Sequence, residues 1–145
     1  MNPDVAVTTV AHGIQLAVAP VFLLTGIGAM LGVLTNRLSR IIDRGRVLES
    51  TRPKTRNAQR AEIETELATL AQRRHYVNWA ITLCTTCALL ICIVIVTLFA
   101  GAFLDWEVTR PIGILFIAAM LVFIGGLLSF LREIYLASSS PHFLR

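Results

Sequence analysis

The sequence predicts an all-α integral membrane fold with three transmembrane helices, an N-terminal interfacial helix and a cytoplasmic helical hairpin between spans one and two. Three observations predict it. The first is composition: 55% of the residues are hydrophobic and the mean hydropathy is +0.70, too apolar for an ordinary soluble domain. The second is a set of three uncharged apolar runs, one ending at Asn36, one from Val77 to Leu104 and one from Pro111 to Leu131. Each is long enough to cross a bilayer as a helix, which takes about 20 apolar residues. The third is the placement of charge. Ten of the 13 Lys and Arg residues lie between Arg37 and Arg74.

The single membrane domain, 1–145, divides into an interfacial helix over 3–18, span one with a cytoplasmic stem over 20–49, a second stem with span two over 57–104, and span three over 111–135. Basic residues are retained on the cytoplasmic side. The Arg37–Arg74 segment and the C-terminus, with Arg132 and Arg145, are therefore predicted inside. The N-terminus, with Asp4 and no basic side chain, and the link DWEVTR (105–110) are predicted outside. No basic stretch precedes the first apolar run, so that run reads as a retained anchor and not as a cleaved signal.

Along the chain, Asn2-Pro3-Asp4 reads as a helix start. Thr8, His12 and Gln15 recur on one face, against Val7, Val10, Ala11, Ile14 and Val18 on the other, an amphipathic pattern. His12 has no second ligand beside it and reads as an interfacial polar residue. Pro20 either kinks one long helix or begins the span. Pro20 to Asn36 plus one further turn crosses a bilayer, which favours the second. Gly28 and Gly32 form a GxxxG, a spacing that lets two helix backbones approach closely in lipid. The contact can be within one chain or between chains.

Helical periodicity continues past Arg37, with Leu38, Ile41, Ile42, Gly45 and Leu48 on one face to about Glu49, and Arg40 and Asp43 within pairing reach. Ser50 to Lys54 reads as the turn, with Pro53 as breaker. From Asn57, Ile63, Leu67, Leu70, Arg74, Val77, Ile81 and Cys84 form a heptad-like seam. The two stems are expected to pack as an antiparallel hairpin. Glu62, Glu64, Glu66, Arg60, Arg73 and Arg74 are expected on its solvated face. Cys84 and Cys87 form a CxxC, but a thiolate inside the bilayer is costly and no cation stands near it in sequence. The pair reads as small packing residues. Trp106 is placed as an outer interfacial anchor, and the tail SSSPHFLR reads as loose.

Asn36, Arg37, Arg74, Asn78, Arg132 and Glu133 should gather at one depth, on the cytoplasmic rim, and Arg40, Asp43 and Arg44 extend this polar cluster along the stem. Asn36 could bond to Asn78, and Glu133 could pair with Arg37, Arg40 or Arg74. Such a cluster serves as interface anchors and hairpin clamps, as the mouth of an oligomeric pathway, or as a headgroup site for anionic lipid.

The stretches PVFLLTGIGAMLGVLTNRLSRIIDRGRVLE, RRHYVNWAITLCTTCALLICIVI and FLREIYLA resemble an uncharacterised bacterial family of small three-span inner-membrane proteins, a domain of unknown function. The resemblance runs from about Gln15 to Ala137 and is most distinctive from Thr35 to Glu49. It implies a bacterial inner-membrane location and carries no activity or site residue. The partners expected are the lipid bilayer, anionic headgroups and further copies of the chain; no nucleic acid is expected, because the basic loop lacks an aromatic platform or reading motif. No catalytic residue, cofactor or metal is expected, since no nucleophile–base pair, metal cluster or phosphate loop is present. The readings that remain are a homo-oligomeric scaffold or interaction module, and an oligomeric pore lined by Thr25, Gly28, Gly32, Thr35 and Asn36.

Overall fold

The computed structural model describes residues 3–51, 57–104 and 109–138. The Asn2 cap, the turn at Pro53, the Trp106 anchor and the tail beyond Ser138 lie outside them. The described residues form three helices: α1 (Pro3–Thr51), α2 (Asn57–Leu104) and α3 (Thr109–Ser138). All three are long and apolar enough to cross a membrane. At 1.5 Å per residue, α1 and α2 are each roughly 70 Å long, over twice the hydrocarbon thickness of a bilayer.

Pro20 lies inside α1, so the 3–18 segment and the first span are one helix and not two. Proline removes the amide that would bond the Leu16 carbonyl. Membrane helices tolerate such a loss where neighbouring groups or a local adjustment of the backbone satisfy the freed carbonyl. The C-terminal end of α1 also differs from expectation. Ser50 and Thr51 continue the helix, and both hydroxyls donate to the Val47 carbonyl, at 2.8 and 2.9 Å.

The chain forms two compact units. The first comprises Met1–Met30 and Leu83–Ile124. Its buried residues include Ala17, Ile27, Cys84, Cys87, Ile91, Val94 and Ala119. Four of these seven are alanine or cysteine. Lipid removes most of the hydrophobic drive between helices, so small side chains that permit close approach do the packing. Cys84 and Cys87 are free thiols buried in this unit, and Cys92 is an exposed one.

The second unit comprises Leu31–Thr82 and Gly125–Arg145. Its core is Leu34, Ile41, Leu48, Leu70, Val77 and Ala80, with Glu133 as a fully buried charge. The stems pack together here as the antiparallel periodicities require, and Arg44 Nε donates to Glu66 Oε1 across them at 2.9 Å.

Each helix buries a line with a 3.5-residue repeat. On α1 the line holds Ile27, Leu34, Ile41 and Leu48, seven apart. On α2 it holds Leu70, Val77, Ala80, Cys84, Cys87, Ile91 and Val94. The α2 seam therefore takes a step of three after Leu70. It passes through the half-buried Arg73 and the buried Ala80, not through Arg74 and Ile81 as the sequence pattern suggested; Arg74 is exposed. On α3 the buried positions are Ala119, Gly126 and Glu133, again seven apart.

Candidate functional site

The α3 line of small residues ends in Glu133, and that register puts a carboxylate inside the second unit. Its side chain has no solvent exposure. A charge so enclosed must be paired and hydrogen-bonded to persist. Two arginines meet it. Arg37 Nη1 donates to Oε2 at 2.5 Å. Arg73 donates to Oε1 from Nη2 at 2.9 Å and from Nε at 3.2 Å. The Arg37 guanidinium also sits 5.1 Å from the centre of the Phe130 ring, one turn before Glu133 on α3, where the ring face attracts the cation. Among the described residues no buried side-chain polar atom lacks a partner.

Each helix supplies one charge to this cluster, so Arg37, Arg73 and Glu133 tie α1, α2 and α3 together. Of the three arginines offered to Glu133 by sequence, Arg37 takes it. Arg40 and Arg74 are exposed and make no ion pair among the described residues. Arg73, expected on the solvated face, is instead the second partner. A signal for it was present: stepping back from Cys87 through Cys84, Ala80 and Val77 by threes and fours lands on Arg73 and then Leu70.

The remaining candidates are more dispersed. Asn36 and Asn78 are exposed, and the structure shows no hydrogen bond between them; the backbone carbonyl of Asn78 accepts the Thr82 hydroxyl at 3.0 Å. Asp43 and Arg132 are exposed, and Arg40 and Asp43 do not pair. Arg44 pairs with Glu66, both partly exposed. Aromatic side chains also stand at this level of α2, where His75 meets Tyr76 and Trp79 edge-on, with ring centres 6.1 and 6.3 Å apart.

Two grooves flank Arg37 and Arg40. One of about 550 Å³ is lined by Val33, Asn36, Arg37, Ser39 and Arg40. The other, of about 280 Å³, is lined by Arg37, Arg40, Ile41, Arg44, Leu70, Arg73 and Ala137. The chemistry available is electrostatic: guanidinium forks suited to an anion. Among the described residues no group of three or more His, Cys, Asp or Glu could hold a metal ion.

Gly28 and Gly32 lie on an exposed face of α1. A Cβ added at Gly26, Gly28 or Gly32 would meet nothing within 4 Å. Thr25 and Thr35 share this side of the helix, and their hydroxyls donate to the Val21 and Leu31 carbonyls at 3.3 and 2.8 Å.

Fold and site together define an α-helical protein of the multi-pass membrane type, with a three-helix charge cluster in one unit. The model of a family described as a protein of unknown function, DUF2721, matches residues 17–142. The chain belongs to that family. No curated protein and no solved structure matches it.

Proposed function

We propose that this chain is a non-enzymatic, multi-pass protein of the bacterial inner membrane that works as a homo-oligomeric interaction module. Its N-terminus is outside, and its basic helical hairpin and C-terminus are cytoplasmic. The observation that carries this reading is the bare glycine face of α1. Within a single chain, a Cβ at Gly28 or Gly32 would touch nothing. Facing lipid, such a surface forgoes the dispersion contacts that larger side chains make; facing another helix, it allows close backbone contact. Burial supports the same reading. Only 18%, 22% and 11% of the most apolar stretches of α1, α2 and α3 are buried within the chain, which leaves ample surface for further copies.

A second reading, an ion- or solute-permeation pore, is supported by the exposed Thr25, Thr35 and Asn36 on the same side of α1 as Gly28 and Gly32. If α1 surrounds an axis, these residues line it. The back-bonded threonine oxygens retain acceptor capacity for an ion or water.

The test is the mass of the purified full-length protein in mild detergent, by light scattering corrected for bound detergent. Wild type should be an oligomer. Gly28→Leu with Gly32→Leu should give a smaller species of unchanged helicity. A monomeric wild type would sink both readings, and an unchanged mass in the double variant would move the seam off this face.

A further inference from the structure

We propose that the smaller groove of the second unit binds the phosphate group of an anionic phospholipid headgroup, with Arg40 and Arg44 as its direct contacts and Arg37 and Arg73 as its fixed floor. Four guanidiniums line that groove. The structure sets two carboxylates against them: Glu133 holds Arg37 and Arg73, and Glu66 holds Arg44. The groove therefore carries an excess of two positive charges. Arg40 has no carboxylate partner among the described residues and lines both grooves.

Donors remain after the internal pairs are made. Arg44 uses Nε on Glu66, which leaves its terminal fork. Arg73 uses Nε and Nη2 on Glu133, which leaves Nη1. Arg37 uses Nη1. Planar forks of this kind match the oxygens of a phosphate and bind it bidentately. Glu133 holds two of the four side chains in place before any ligand arrives, so the entropic cost of ordering them is already met in folding.

Placement selects a lipid as the source of the phosphate. Arg37 is the first charge after the apolar run that ends at Asn36, so the groove opens where a span leaves the hydrocarbon. Ile41, Leu70 and Ala137 also border it; each lies about one helical turn from Arg37, Arg73 or Glu133 on the stem side, so the groove meets the headgroup and not the acyl chains. Basic pockets between helices at the cytoplasmic surface are a recurrent form of lipid site. The inference shares the membrane reading given above but needs neither an oligomer nor a pore.

The experiment is native mass spectrometry of the full-length protein in detergent, titrated with phosphatidylglycerol, with phosphatidylcholine, or with phosphatidylglycerol in the presence of millimolar inorganic phosphate. Phosphatidylglycerol should bind about tenfold more tightly than phosphatidylcholine and should persist against phosphate. Arg40→Gln with Arg44→Gln should abolish that preference at unchanged helicity, since both side chains are exposed. Arg46→Gln with Arg60→Gln, the same loss of charge elsewhere on the stems, should keep it. Equal binding of the two lipids would overturn the proposal, and so would an equal loss in the Arg46/Arg60 control. Displacement of the lipid by phosphate would assign the groove to a soluble anion and overturn the lipid assignment. The same spectra report stoichiometry, so a monomer that retains the preference would refute the assembly and leave this site standing.

Discussion

Replacing Glu133 with glutamine keeps the side chain's size and one acceptor oxygen but removes the charge between Arg37 and Arg73. Three hydrogen bonds reach this carboxylate from two guanidiniums. Breaking a buried ion pair by removing one member costs about 3–5 kcal/mol, mainly because it strands the other charge. Here the stranded groups have an outlet. The side chains of Arg37 and Arg73 are 37% and 25% exposed and can turn toward water or headgroups. The expected loss is therefore at the low end, about 3 kcal/mol. The assay is equilibrium unfolding by titration with SDS, followed by circular dichroism. A double-mutant cycle with Arg73→Gln should give a coupling of at least about 1 kcal/mol, because the two changes remove one interaction. Replacing the whole cluster, with Arg37→Met, Arg73→Met and Glu133→Leu, should restore stability to within about 1 kcal/mol of wild type, since no charge is then left unpaired. A Glu133→Gln variant that loses less than about 0.5 kcal/mol, the range of an ordinary surface substitution, with additive behaviour in the cycle, would refute the reasoning.

Two further outcomes are expected. A compartment reporter inserted near Pro53 or fused after Arg145 should report cytoplasm, and one in the 105–110 link should report the outside; an external signal at Pro53 would reverse the orientation. Cys84→Ser with Cys87→Ser should leave oligomer mass and membrane level nearly unchanged, because both thiols serve as small packing groups, whereas loss of a cellular phenotype at normal protein level would assign them chemistry.

The three helices were legible because each apolar run is bounded by charge, and the 3.5-residue periodicity carried the stems beyond the spans. The state of Pro20 was not legible. A proline between two apolar helical patterns is compatible with a start or with an interior position, and only the backbone on both sides distinguishes them. In the site, Arg73 and Arg74 are consecutive, and a seam alternating threes and fours can take either after Leu70. The structure resolves this by packing. Ala80 and Cys84 have no exposed surface, and only Arg73 is in register with both. Glu133 looked like a rim anchor because spans commonly end in charge; its burial depends on two arginines from other helices, a relation that no local window contains. The glycine face was visible as a spacing, but whether it met its own chain depended on the way α1 is turned.

Homo-oligomer formation through that face is tested most directly by cysteine cross-linking in native membranes, in a chain with its three natural cysteines replaced by serine. Disulfides form only between Cα atoms within about 7 Å, so linkage reports a close helix pair. Gly28→Cys and Gly32→Cys should each give disulfide-linked dimers on oxidation. Leu34→Cys, which faces its own chain, should not, and neither should Ile117→Cys or Leu121→Cys on the outward face of α3. Dimers at 117 or 121 with none at 28 and 32, or no dimers at any of the five positions, would contradict the account.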